Sequence, residues 1–164
     1  MKHVFIAILV LVSTSVFAQQ PLSKLLDSLN NETIPYITAN DLDKLNTKTL
    51  LFDAREPQEY KVSHLKDAIH VGYEQFNLEK ILNSYPDKDQ EIVVYCTLGV
   101  RSEDVAESLK SAGYTRVYNL YGGIVEWKNN DLKVYNKRNK ETEKVHVFDA
   151  YWSQWLKKGV KVYD

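Results

Sequence analysis

The chain has 164 residues, and its 21 Lys and Arg nearly balance 22 Asp and Glu, leaving a formal net charge of -1. That length allows one compact domain with its own core and excludes two comfortable ones. The balanced charge excludes the electrostatic footprint of a nucleic-acid or membrane-surface binder and points to a small partner, while a single cysteine, Cys96, excludes an internal disulfide.

At the start of the chain, Met1-Lys2-His3, the apolar run from Val4 to Val12 and the small residues Val16 and Ala18 before Gln19-Gln20 have the layout of a secretory signal peptide. Cleavage is expected after Ala18, because the apolar run is too short to span a bilayer; a buried helix or an uncleaved anchor is the alternative. On this reading residues 1–18 are the signal, 19–35 a helical lead-in, 36–135 the domain and 136–164 a C-terminal extension packed on it. The protein is then expected to be exported to a bacterial periplasm or the exterior, with no stable membrane association and no nucleic-acid partner.

From Leu22 to Asn30 apolar residues recur at intervals of three and four, which predicts a short amphipathic helix. Thr38 caps a second helix through Asn46, with Asp41 at its positive end. Four brief apolar runs, at 49–53, 68–71, 91–95 and 116–120, read as buried parallel strands. Helical candidates at 56–62, 74–83, 102–112 and 123–130 alternate with them, as α/β layering requires. Val105, Ala106, Leu109 and Ala112 share one face of the 102–112 helix, and Gly113 stands where that helix would end in a left-handed residue. Lys137 to Lys144 is polar and charged, a loop or hairpin connection. Beyond it, residues 145–148 alternate like an edge strand, and 151–156 read as a helical turn laying aromatics onto the main body.

Reactive chemistry concentrates at Cys96. It follows the strongest strand signal, Ile92-Val93-Val94-Tyr95, and precedes a helix starting near Ser102, so it lies at the carboxyl edge of the sheet, where open α/β folds bind ligands. The loop Thr97-Leu98-Gly99-Val100-Arg101 would turn backbone amides toward the sulfur. With the helix dipole and Arg101, this arrangement suits an anionic, reactive sulfur rather than an inert buried one, which is the alternative. Gly99 supplies the freedom a tight curl demands. Glu103 and Asp104 bring negative charge into the first helical turn and are expected to face solvent. His64, His70 and His146 have no neighbouring ligand at metal-binding spacing, so no metal is expected.

The segment Cys96-Thr-Leu-Gly99-Val-Arg101-Ser102 resembles the active-site loop of the rhodanese-like sulfurtransferases. Asp53-Ala-Arg55-Glu56-Pro57-Gln-Glu59-Tyr60, then His64-Leu65 with Ala68-Ile69-His70-Val71, then Gly113 through Trp127 resemble other segments of that family in the same order. The likeness spans about residues 36 to 135. It implies a rhodanese-like three-layer α/β fold, with a central, mostly parallel sheet and helices on both faces. It implies a sulfurtransferase in which Cys96 takes sulfane sulfur from a small anionic donor such as thiosulfate, holds it as a persulfide and yields it to a thiol or cyanide-like acceptor, with no cofactor. Thr97, Leu98, Gly99, Val100 and Arg101 would form the substrate cradle, with Arg101 orienting the anion.

Asp53 and Arg55 would stand beside the same pocket and Ser102 would support the loop; Arg55 paired with Glu59 one helical turn on would instead be purely structural. Lys66-Asp67 replaces a Pro-Gly turn often found after the His-aliphatic pair. Two rival functions remain. A phosphatase or arsenate-reductase type of oxyanion enzyme has a loop longer by one residue than the four between Cys96 and Arg101. A non-catalytic binding or regulatory module would share the fold without turnover, against which stands the presence of Cys96, Gly99 and Arg101.

Overall fold

The computed structural model describes residues 21–45 and 48–163. The expected signal segment, residues 1–18, and the expected helix end at Asn46 lie outside the described residues.

Five strands, β1 (Tyr36–Ile37), β2 (Leu50–Asp53), β3 (Ile69–His70), β4 (Ile92–Tyr95) and β5 (Val117–Leu120), form one sheet in the order β1-β5-β4-β2-β3. Every neighbouring pair is parallel. Central β4 is buried at all four residues, because a parallel sheet is covered on both faces and a β-branched run satisfies both. Its side chains alternate between two cores. Val93 and Tyr95 pack with Leu25, Leu42 and Ile124, whereas Ile92 and Val94 pack with Ile81, Val105 and Leu109. These partners place α1 (Leu22–Leu29), α2 (Ala39–Lys44) and α6 (Gly123–Asn129) on one face, and α4 (Leu78–Ser84) and α5 (Arg101–Ser111) on the other. The result is the expected three-layer α/β arrangement, with the two-residue β1 added to the four strands read from the sequence.

Local chemistry sets the element ends. The Thr38 hydroxyl accepts from the Asp41 amide at 3.1 Å and starts α2. α5 stops before Gly113, whose φ is +94°. α3 (Pro57–Val62) opens on a proline, which lacks the amide a first helical turn leaves unpaired. The Lys66-Asp67 replacement still makes a turn: the Ala68 amide donates to the Leu65 carbonyl at 3.1 Å, with Asp67 at φ +59°, a region aspartate tolerates better than most side chains.

Glu103 departs from expectation. It is buried rather than solvent-facing, because the lead-in segment folds over the start of α5 and the Thr33 amide points at its carboxylate, 3.4 Å away. Burial raises its pKa. Asp104 is exposed as expected and accepts from the Tyr73 hydroxyl at 2.7 Å.

The C-terminal region forms a hairpin, β6 (Val134–Tyr135) with β7 (Glu141–Thr142), then β8 (Lys144–His146), a 3-10 turn (Trp152–Trp155) and β9 (Val160–Val162). β8 overlaps the expected edge strand at 145–148 and pairs in parallel with β9 in a separate sheet of two. Val145, Val147, Trp155 and Leu156 join the core that holds Val93 and Tyr95. Asn129 fastens the return, its Nδ2 donating to the Trp155 carbonyl at 3.0 Å and its Oδ1 accepting from the Lys157 amide at 2.8 Å.

Candidate active site

β4 ends at Tyr95 and delivers Cys96 directly to the carboxyl edge of the sheet; α5 begins at Arg101, so the intervening loop must reverse within a few residues. Gly99 makes this possible with φ +105°, and a side chain there would press on the Leu120 carbonyl. The curl brings the Gly99 amide to Cys96 Sγ as a donor at 3.1 Å, and the Ser102 hydroxyl stands 3.5 Å from the same sulfur. Carbonyl groups facing outward are held from behind. Asn119 Nδ2 and Asn30 Nδ2 both donate to the Gly99 carbonyl, at 2.8 Å and 2.9 Å, and Asn119 Oδ1 accepts from Ser102 Oγ at 2.7 Å.

The first amides of α6 complete the support, Ile124 donating to the Cys96 carbonyl at 3.0 Å and Val125 to the Thr97 carbonyl at 3.2 Å. This close approach requires Gly123, at φ +53°, where a Cβ would lie 2.3 Å from the Cys96 carbonyl oxygen. Gly123→Ala is expected to destabilise the protein by about 2 to 3 kcal/mol, since backbone strain and a backbone clash coincide. Urea unfolding of the variant beside the parent checks this; an unchanged midpoint would mean that α6 moves aside freely.

Arg101 closes the loop through Glu59 of α3. Nη1 and Nη2 each donate to a carboxylate oxygen at 2.8 Å, a bidentate pair, and Nη2 also donates to Thr97 Oγ1 at 3.0 Å. The Glu59 carboxylate further accepts from Thr97 Oγ1 at 3.0 Å and from the Glu56 amide at 2.9 Å. Burial works against the charge of Arg101, and the Glu59 hydrogen bonds, the nearby Cys96 sulfur and the Glu59 charge together outweigh it, so its pKa is raised. Burial likewise pushes Glu59 up, but Arg101 outweighs that and holds its carboxyl at about 2.

A folded-state pKa below the unfolded value means the unfolded chain binds the proton more readily. The stabilisation is therefore complete above pH about 4.5 and is lost as pH falls toward 2. It amounts to something on the order of 3 kcal/mol. Denaturant midpoints followed across that window are expected to fall more steeply for the parent than for Glu59→Gln; parallel curves would contradict the assignment.

Asp53 and Arg55 form a separate, fully buried pair beside this network. Arg55 Nη2 donates to Asp53 Oδ2 at 2.6 Å, Nε to Oδ1 at 2.9 Å, and Nη2 also to the Ser63 carbonyl at 2.6 Å. Both side chains have no exposed surface, and the pair ties the end of β2 to the Ser63 carbonyl just past the end of α3. The structural alternative for Arg55 thus describes its contacts, with Asp53 in place of Glu59 as its carboxylate partner.

A cavity of about 160 Å³ opens over Cys96. Thr97, Leu98, Val100 and Arg101 line it, while the Gly99 amide and the Ser102 hydroxyl face the sulfur from the loop and the start of α5. Phe148 and Trp152 of the C-terminal extension line it too. The sequence reading laid the aromatics of 151–156 on the main body without placing Trp152 at the cysteine, and it missed Phe148, Asn30, Asn119 and the link from Glu59 to Arg101. Glu59 lay within the motif already noted, but nothing in its spacing says which cation it meets. Trp127 is a core residue, its Nε1 donating to the Lys133 carbonyl at 3.0 Å.

An open parallel sheet presenting one cysteine at its carboxyl edge, in a glycine-curled loop closed by an arginine, defines a cysteine-centred α/β domain. The chain belongs to the rhodanese-like domain family, whose model matches residues 38–130. It is 31% identical over 137 residues to a tRNA uridine(34) hydroxylase of Buchnera aphidicola subsp. Baizongia pistaciae, covering 79% of this chain and 43% of that protein. A tRNA uridine(34) hydroxylase of Onion yellows phytoplasma is 40% identical over 83 residues, covering 48% of this chain and 27% of that protein. The chain thus spans less than half the length of these curated relatives. Among solved structures, a thiosulfate sulfurtransferase from Pseudomonas aeruginosa shares the fold, with a TM-score of 0.58 and 22% identity over 63% of this chain and 20% of that one.

The relatives correct one expectation. Proteins named for acting on tRNA work on a molecule of the cell interior, which contradicts the assignment of this chain to a periplasm or the exterior.

Proposed function

We propose that the protein is a sulfurtransferase in which Cys96 carries sulfane sulfur as a persulfide. The observation that carries this reading is the donation of the Gly99 amide to Cys96 Sγ at 3.1 Å, inside a loop held rigid from behind by Asn30, Asn119 and α6. A preorganised amide stabilises negative charge on the sulfur and on a terminal persulfide without rearranging during the reaction. The Cys96 thiolate attacks the outer sulfur of thiosulfate, a new sulfur–sulfur bond forms, and sulfite leaves with the electron pair of the broken one. Cyanide or a thiolate then takes the terminal sulfur, and the Cys96 thiolate returns. Arg101, positive and at the rim of the cavity, supports an anionic donor there.

The size of the cavity supports small partners, an anionic sulfur donor and a thiol or cyanide-like acceptor, over a polynucleotide. The reaction needs no cofactor. Initial rates of thiocyanate formation with both thiosulfate and cyanide varied are expected to give parallel double-reciprocal lines, because each substrate meets a different form of the enzyme. Intersecting lines would contradict the scheme. Hydrolysis of an aryl phosphate by the parent but not by Cys96→Ser would favour the oxyanion-enzyme alternative instead.

A further inference from the structure

We propose that the C-terminal extension is one wall of the Cys96 site and selects a sulfane-sulfur donor with a small apolar organic body, of the thiosulfonate type. The inference rests on the persulfide reading and names its substrate class. Leu98, Val100, Phe148 and Trp152 give the cavity its apolar surface. The polar groups on its wall, Thr97 and Arg101, direct hydrogen bonds to Glu59, so Arg101 draws an anion to one end of the cavity while the rest of the space offers only apolar contact. A bare inorganic anion fills such a space poorly, since it gives up hydration without gaining contacts; an anion with an apolar body loses less and covers the aromatic wall.

The wall is built in place. Val145, Val147 and Trp155 anchor the extension in the core. Between them Phe148 is 46% exposed, yet it is held at φ +66°, a conformation strained for a bulky side chain. Its amide donates to His146 Nδ1 at 3.2 Å, and its ring lies 5.7 Å from the Arg101 guanidinium carbon. Trp152 is backed by Trp155 and Tyr151, with ring centroids 5.9 Å and 5.3 Å away. Strain at an exposed aromatic that earns little burial persists where position matters, and this position is the mouth of the cysteine site.

In the reaction, the Cys96 thiolate attacks the terminal sulfur of the thiosulfonate anion. The sulfur–sulfur bond of the donor breaks, an organic sulfinate leaves with the electron pair, and Cys96 persulfide anion remains, so charge and atoms balance. The anionic end sits toward Gly99 and Arg101, and the organic body against Phe148 and Trp152.

The test compares benzenethiosulfonate, methanethiosulfonate and thiosulfate as donors, with cyanide as acceptor, in the parent, Phe148→Gly and Trp152→Ala. Glycine removes the ring while suiting the positive φ, so that variant is expected to fold, and thermal unfolding verifies both. The parent is expected to show kcat/KM for benzenethiosulfonate at least about tenfold above methanethiosulfonate. Each variant is expected to lose about tenfold more kcat/KM for benzenethiosulfonate than for thiosulfate, mainly through KM. Equal rates with the two organic donors, or equal losses for all three, would overturn the selectivity while leaving the persulfide reading intact. No turnover by the parent with any donor would overturn both.

Discussion

Cys96→Ser is expected to remove sulfur transfer, lowering kcat/KM for thiocyanate formation by about 10⁴-fold or more, while changing folding stability by less than about 1 kcal/mol. The two halves follow from different features of one position. Sulfur is the reacting atom, and a hydroxyl is a far weaker nucleophile that cannot carry a sulfane sulfur reversibly under the same conditions. The fold, in contrast, needs only a small group there that accepts from the Gly99 amide, and a serine oxygen does so. Loop geometry in turn depends on the Cys96 and Thr97 carbonyls bound by α6, which the substitution leaves alone. Rates measured beside thermal unfolding separate the outcomes. Residual activity within about tenfold of the parent would remove Cys96 from the chemistry.

Asp53→Asn is expected to produce the largest loss of stability of any single side-chain change at the site, about 3 to 5 kcal/mol. Arg55 has no exposed surface, and burial works against its charge; the Asp53 charge and hydrogen bonds outweigh that and raise its pKa. With asparagine opposite, the guanidinium stays charged, buried and uncompensated. Tyr95, whose pKa is pushed up first by burial and then by Asp53, belongs to the same cluster, and its hydroxyl accepts from the Leu65 amide at 3.1 Å. Losing the carboxylate therefore loosens the junctions of β2, α3 and β4 together. Replacing both partners by apolar groups, as in Asp53→Leu with Arg55→Met, is expected to cost less than Asp53→Asn alone, because no charge is left stranded. Denaturant unfolding of the three proteins checks the ordering, and a more stable Asp53→Asn would contradict it.

What the sequence made legible is what local rules govern. β4 and α5 were readable because one is an unbroken apolar run of β-branched and aromatic residues and the other repeats at helical spacing, and together they fix Cys96 at the sheet edge. β1 has only two residues and no period of its own; it becomes a strand because β5 is there to pair with it. Similarly, Val160-Lys161-Val162 is largely exposed and becomes β9 only through β8, some fifteen residues earlier in the chain. Glu103 reads as a surface charge until the lead-in segment covers it. Phe148 and Trp152 announced that the C-terminus would pack on something, but their arrival at Cys96 depends on the anchoring of Val145 and Trp155, a long-range event that no local pattern encodes.

Intact mass of the protein after incubation with thiosulfate and with benzenethiosulfonate, each followed by cyanide, decides whether Cys96 is a sulfur carrier. The expected result is a gain of one sulfur atom, located at Cys96, removed by cyanide and missing from Cys96→Ser. A protein whose mass is unchanged by either donor, with Cys96 reduced at the outset, would contradict the persulfide mechanism.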